Sequence, residues 1–396
     1  ATASAPRSLA SARSSPPGSH VAGDTATIAT PTSRTSLTLG EFLDTRSSGF
    51  DVVRLVLAFL VLVSHTWPLG GFGNEPLSPL APNVLTLGGF AVGAFFALSG
   101  LLVGRSALNR RSGSFAKARF ARLMPALWVA MLVSAFVVAL IGWTHRHHDV
   151  AAFFTLRPDG PFAYVGRAAT LPVNFSHGIA DVFVADTPYG RSSGGSFING
   201  SLWTLPYEVR CYIVIGLVAV AARKFGSRRT MTIAWLVSLA LVIGYAKRVD
   251  LTSFIAGQYA DRQLAAFLFV FLSGTLVAAW AHRINLFGWV PVLALVLAIL
   301  VGRSSSFLSE HVSGAAMSLV LPPIAAVVAP LARVLRGVDI SYGLYLYAWP
   351  MQQLVALYHW SSRPATFIMI SAILAGTCAV ASWFLIEKPA MARLRR

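Results

Sequence analysis

Cysteine is nearly absent from this chain: of 396 residues only Cys211 and Cys378 carry a thiol, and both sit inside apolar runs. Two thiols so placed support neither a disulfide framework nor a thiolate metal site. Acidic residues are scarce as well, 15 against 32 lysines and arginines, and charged residues of all kinds make up only 12% of the chain. A soluble protein of this length needs more surface charge. With 55% apolar residues and a mean hydropathy of +0.65, much of the chain must face lipid. The net charge of +17 would suit nucleic acid. The basic residues, however, lie between apolar runs rather than on a folded basic domain, so they read as orientation signals, with no nucleic-acid partner.

What is present is a series of ten apolar runs, at 50–68, 84–104, 123–143, 203–222, 230–246, 264–281, 286–302, 314–332, 340–358 and 364–386. About 20 apolar residues cross the ~30 Å hydrocarbon core as a helix. The expected fold is therefore an all-α polytopic membrane protein with about ten transmembrane helices; the runs at 230–246 and 286–302 are short, so nine or eleven also fit. No small-residue cleavage site follows the first run, which reads as a spanning helix rather than a removable leader. Basic clusters (Arg105 to Arg122, Arg223 to Arg229, Arg283, Arg333 with Arg336, and Lys388 to Arg396) alternate with a loop at 69–83 that has none. Both termini are thus expected in the cytoplasm, in a multi-pass inner-membrane protein. Lys247, Arg248 and Arg262 fall on an outer segment against this pattern. Residues 1–47, rich in Ala, Ser, Thr, Pro and Gly, read as a disordered cytoplasmic tail. Residues 48–396 read as one membrane domain whose outer loop, 144–202, is expected to be irregular and functional.

The first run, "RLVLAFLVLVSH", carries Arg54 and His65 at its ends. Eleven residues make three helical turns plus about 20°, so the two side chains share one face about 16 Å apart along the axis. Asp51 lies three residues before Arg54 and can partner it. Snorkelling of Arg54 and an interfacial His65 would be the bland reading, but ionisable groups sharing an intramembrane face point to function. A neutral imidazole accepts a proton near neutral pH, and a guanidinium holds a phosphate or carboxylate. Together they suggest transfer of a group from an anionic cytoplasmic carrier to an acceptor reached from deeper in the membrane.

Further along, "FFALSG" brings Ser99 and Gly100, small residues that let helices approach closely. Arg119 and Arg122, three apart, suit an anion clamp, with Pro125 in the first turn of the next helix; a stop-transfer cluster is the alternative. In "SLWTLPYEVR", Trp203 marks the return into the membrane and Glu208 falls just inside, at the level expected for His65. That carboxylate can orient an imidazole or bind an acceptor hydroxyl, or simply pair with Arg210. "HRHHD" at 145–149 lacks helical ligand spacing, so no metal site is expected. Tyr342 and Tyr345 of "ISYGLYLYAWP" share a face, though an interfacial belt is the commoner use of such tyrosines.

Taken in order, Asp51, Arg54 and His65, then "FFALSG", "RFARLMPALW", "SLWTLPYE", "SYGLYLYAWP" and "IEKPAMARLRR" resemble the acyltransferase 3 family of membrane O-acyltransferases, from residue 48 onward. The resemblance implies an acyl group, commonly acetyl, carried from acyl-CoA as co-substrate, with no bound cofactor, to a hydroxyl of a cell-surface carbohydrate, glycolipid or related acceptor. It implies Arg54 and His65 as the essential pair, Arg119 and Arg122 on the donor, and Glu208 as the motif carboxylate. Asp51, Ser99, Trp203, Tyr342 and Tyr345 are then supporting residues. Two departures stand out. Ala348 occupies a position where many members carry histidine, and no esterase-like domain follows, so the membrane domain or a separate partner is expected to complete transfer. A non-catalytic transporter or flippase of a lipid-linked sugar is the alternative; no broken-helix pair or inverted half favours it.

Overall fold

The computed structural model describes residues 37–45, 49–76, 86–169, 178–247, 261–302, 307–335 and 337–394. Among them every regular element is helical, and the only strand-like feature is one bridge between Thr38 and Asn285. In chain order the helices are α1 (Leu39–Asp44), α2 (Gly49–Gly70), α3 (Leu87–Asn109), α4 (Ser112–Val133), α5 (Ala139–Arg146), α6 (Val150–Thr155), α7 (Pro161–Ala169) and α8 (Pro188–Ser193). Then follow α9 (Leu205–Phe225), α10 (Ser227–Ala246), α11 (Arg262–Trp280), α12 (Trp289–Gly302), α13 (Phe307–Val328), α14 (Ala332–Leu335), α15 (Ser341–Leu357), α16 (Pro364–Ser382) and α17 (Lys388–Leu394).

Each of the ten apolar runs contains a helix, but only eight helical segments among the described residues are long and apolar enough to cross a bilayer. The runs at 286–302 and 340–358 yield α12 and α15, of 14 and 17 residues. Both are short of the ~20 that a full crossing takes. The protein is a multi-pass membrane protein.

Four expectations are corrected. Residues 37–45 belong to the body of the protein rather than to a tail. Thr38 and Glu41 form a capping box, Leu39, Phe42 and Leu43 are buried, and Leu39 N donates to Ile284 O at 2.8 Å. The Thr-x-x-Glu spacing before an apolar pair was the signal for this helix. The rest of the expected tail, 1–36, 46 and 47, lies outside the described residues, as do residue 48, Arg248 and the segment to 260. Second, α4 begins at Ser112, so Arg119 and Arg122 are helical and Pro125 lies inside the helix rather than in its first turn. Third, Arg105 is part of α3 and pairs with Asp44 instead of lying in a loop. Fourth, the outer segment is partly helical: α6, α7 and α8 are short helices capped or opened by Asp149, Pro161 and Thr187.

Two features set the positions of the functional side chains. The α3–α11 crossing is close: Thr275 Oγ1 donates to Gly100 O at 3.0 Å, and a Cβ on Gly100 would lie 1.9 Å from Phe271 O. Only a residue without a side chain lets the backbones meet there. In addition, α4 and α16 each continue through a single π-turn, Ser134–Val138 and Trp383–Glu387. The second turns Glu387 inward, where it is buried; π-turns often sit at functional sites.

Candidate active site

A cavity opens between α2, α3, α4, α9 and the start of α15, with about 860 Å³ of empty space including its mouth. Its polar lining is Arg54, Ser99, Arg119, Arg122, Thr204, Glu208, Tyr212, Ser341, Tyr342 and Tyr345, against an apolar wall that includes Phe95, Phe96 and Leu123. A mainly apolar lining with a few convergent polar groups is the composition of a small-molecule site. Seven of the ten residues singled out from the sequence therefore line one cavity. Asp51, His65 and Trp203 do not line it.

The arginines enter from two helices. Arg54 Nη1 donates to Asp51 Oδ1 at 2.8 Å and reaches Asp339 Oδ2 at 3.4 Å. Arg122 Nη2 donates to the same Asp339 oxygen at 2.6 Å and its Nη1 to Glu387 Oε2 at 2.9 Å. Asp339 precedes α15, where Ser341 donates its backbone N–H at 3.3 Å and also its hydroxyl. Burial alone would raise the Asp339 carboxyl, but the guanidiniums of Arg122 and Arg54 and the bonds from Ser341 hold it below its ordinary value. Arg119, one turn before Arg122, has a buried Nε with no hydrogen-bond partner among the described residues.

Glu208 faces this cation cluster rather than the level of His65. Its Oε1 accepts from the hydroxyl of Tyr212, one turn on, while Arg210 lies over the Tyr207 ring, 5.4 Å from its centroid. The reason is the way the chain returns into the protein. A 3₁₀ turn, Gly200–Thr204, leads directly into α9, whose first turns carry Glu208 to the cavity. Trp203 is 38% exposed and packs on Tyr207 and Phe267. The two tyrosines are part of the site rather than a belt: Tyr345 hydroxyl donates to Ser201 O at 2.6 Å and bonds Thr204 Oγ1 at 2.6 Å, and Tyr342 hydroxyl donates to Leu123 O at 3.1 Å.

His65 lies further along α2, past the cavity. Its ring meets Trp349 edge to face, centroids 4.8 Å apart at 78°, and its buried Nδ1 has no hydrogen-bond partner among the described residues. Trp349 is fixed in turn by donation from its Nε1 to Phe197 O at 3.2 Å, and Gln352 Nε2 donates to Leu62 O at 2.9 Å, tying α15 to α2 beside the histidine. Sequence reasoning missed Asp339, Glu387, Tyr212, Trp349 and Gln352. Asp339 two residues before Ser341 at the start of an apolar run is a cap-like pattern that could have been noticed, as could a lone acid at the end of the last run.

Fold and cavity together define a polytopic membrane protein with an ionisable site inside its helical body. A family model described as an acyltransferase domain matches residues 47–386. A protein of Shigella phage Sf6 described as an O-acetyl transferase is 30% identical over 360 residues, spanning 88% of this chain and 97% of that protein. The nodulation protein 10 of Rhizobium leguminosarum bv. viciae is 26% identical over 366 residues, 87% of this chain and 93% of the relative. No solved structure matches the chain. The chain belongs to the acyltransferase 3 family, and it is an enzyme that transfers acyl groups other than aminoacyl groups.

Proposed function

We propose that the protein is a ten-span O-acyltransferase of the inner membrane, with both termini cytoplasmic. It moves an acetyl group from cytoplasmic acetyl-CoA to a hydroxyl of a cell-surface carbohydrate or related acceptor. The observation that carries this reading is the pairing of a guanidinium-lined cavity with an imidazole further along the same helix. The relative described as an O-acetyl transferase favours acetyl and an oxygen acceptor.

The residues present fit an anionic donor. Arg119 presents a guanidinium whose buried Nε has no partner, which is the kind of group a phosphate oxygen satisfies. With the nucleotide end in the cavity that Arg54, Arg119 and Arg122 line, the extended pantetheine arm runs along α2 and brings the thioester towards His65, about 16 Å along the helix. His65 takes the proton of the acceptor hydroxyl as its oxygen attacks the thioester carbonyl; the carbon–sulfur bond breaks, and coenzyme A leaves as the thiolate, which is then protonated. Glu208, engaged by Tyr212, supports the donor end of the path.

Binding and slow hydrolysis of radiolabelled acetyl-CoA by the purified protein in detergent test the reading, with Arg54→Ala, Arg119→Ala and His65→Ala alongside. The arginine variants are expected to bind poorly and the histidine variant to bind without turnover. Failure of the parent to bind or consume any acyl-CoA would overturn the choice of donor.

A further inference from the structure

The three arginines of the cavity are not equivalent. Arg122 is held from two sides by carboxyl groups, Asp339 at 2.6 Å and Glu387 at 2.9 Å. The Tyr342 and Trp383 rings lie 5.7 Å and 5.8 Å from its guanidinium carbon. Each carboxylate is itself anchored, Asp339 by Ser341 and Glu387 by a 3.1 Å bond from Ser382 Oγ. The Glu387 side chain is fully buried and that of Asp339 is 12% exposed. One guanidinium with both terminal nitrogens bonded to anchored carboxyl groups has less to offer a third anion than one with no carboxyl partner. An incoming phosphate would compete with two carboxyl groups already bonded to it and would meet the negative charge of Asp339. Arg54 is partly engaged, its Nη1 shared between Asp51 and Asp339.

Arg119 is the opposite case. It lines the same cavity, no ion pair joins it to a carboxylate among the described residues, and its Nε is buried without a partner. Glu208, the carboxyl that lines the cavity with it, is taken by the Tyr212 hydroxyl. Asp339 has a different position altogether: one of its oxygens joins Arg54 on α2 to Arg122 on α4, while the other receives Ser341 at the start of α15. It thus sets the separation between the helix that carries His65 and the helix that carries Arg119.

We propose that Arg119 is the guanidinium that contacts the anionic end of the acyl donor, and that Arg122 does not touch the donor but is locked by Asp339 and Glu387. Asp339 is a positioning residue that fixes α2 against α4. The proposal rests on the reading of an anionic acyl-CoA donor. It divides residues that the sequence treats as one clamp. Removing the negative charge of Asp339 leaves Arg54 and Arg122 facing each other as like charges, so the ends of α2 and α4 separate. The donor still finds Arg119, but its thioester no longer arrives at His65.

The test separates affinity from turnover. Coenzyme A is titrated calorimetrically into the purified protein in detergent, and acetyl-CoA hydrolysis is followed at saturating donor. The variants are Arg119→Lys, Arg122→Lys, Asp339→Asn and Asp339→Glu, each with a thermal unfolding scan. Arg119→Lys is expected to weaken coenzyme A binding at least tenfold. Arg122→Lys and Asp339→Asn should keep binding within about threefold and lose at least tenfold in turnover of bound donor, with Asp339→Glu recovering part of that loss. Adding Asp339→Asn to Arg122→Lys should cost less than the sum of the two alone, since both act through one bond. Loss of affinity in Arg122→Lys equal to that in Arg119→Lys would overturn the proposal, as would full turnover in Asp339→Asn. If Asp339→Asn does not fold, the comparison between the two lysine variants decides by the same criterion. A parent that binds no coenzyme A overturns the donor reading itself, whereas a parent that binds with the variant pattern reversed overturns only this assignment.

Discussion

The His65 imidazole and the Trp349 indole meet edge to face, centroids 4.8 Å apart at 78°. The indole is immobilised at its own far end by Phe197 O, and Tyr189 packs on it at a right angle, centroids 5.0 Å apart. A residue on α15 thereby sets the direction in which an α2 side chain points. Because Gln352, one turn beyond Trp349, also bonds to Leu62 O, the two helices cannot slide without moving the imidazole.

If His65 is the base, replacing it with alanine removes a proton acceptor together with its edge-to-face contact with Trp349. The expected loss is about 10² to 10⁴ in acyl transfer. The thermal unfolding midpoint should stay close to that of the parent, because no hydrogen bond to the ring nitrogen Nδ1 exists to be lost among the described residues. Transfer rate and unfolding midpoint measured on one preparation check this; full activity in His65→Ala would refute the base assignment.

Gly200 offers a test of the same geometry from the other side. A Cβ added there would lie 2.6 Å from the Trp349 ring, so the indole must shift, and with it the imidazole. Gly200→Ala is expected to lower transfer by roughly 10², the size of loss that follows a reacting group misplaced by about 1 Å. Gly216→Ala, whose Cβ would meet Phe115 at an ordinary 3.6 Å, serves as the control and should leave transfer unchanged. Equal losses in both would point to general intolerance of α9 and its leading turn rather than to the indole.

How much of this was legible in the sequence depends on how local each relationship is. The shared face of Arg54 and His65, and the adjacency of Arg119 and Arg122, follow from helical periodicity alone. The partners of Arg122 do not: Asp339 and Glu387 are 217 and 265 residues away, and no local pattern ties them to it. Residues 119–122 read as a clamp of two equivalent arginines because the ion pairs of Arg122 appear only when the start of α15 and the turn after α16 are packed against α4. Helix α1 was missed because the composition of its neighbours hid a capping box of four residues.

Asp339 also makes a pH prediction. Its folded-state carboxyl lies below the ordinary 3.8, since Arg122, Arg54 and Ser341 more than offset the opposing effect of burial. A carboxyl lowered by folding contributes stability that is fully present above its unfolded value and is lost as pH falls through the folded one. Acidification from pH ~5 to below the ordinary carboxylate range should therefore narrow the gap in unfolding midpoint between the parent and Asp339→Asn. Midpoints measured in detergent across that range check it. A gap that stays constant would mean that Asp339 is not ionised in the folded protein.

The α3–α11 crossing carries the last expectation, because α3 supplies Ser99, Leu98 and Leu102 to the cavity wall. A Cβ on Gly100 would come within 1.9 Å of Phe271 O, a backbone atom that cannot rotate away, so the helices must part. Overpacking of this kind destabilises by about 1–3 kcal/mol, and here the displaced helix is a wall of the site, so weaker coenzyme A binding should accompany the lower unfolding midpoint. Gly376, inside α16, has nothing within 4 Å of the same added atom. There alanine removes conformational freedom from the unfolded chain without strain, and a gain of about 0.4–1 kcal/mol is expected. The two substitutions are chemically identical and both fall within apolar helices. Opposite shifts of the unfolding midpoint would therefore locate the effect in the crossing itself, whereas shifts of the same sign would show that α3 and α11 do not depend on this contact.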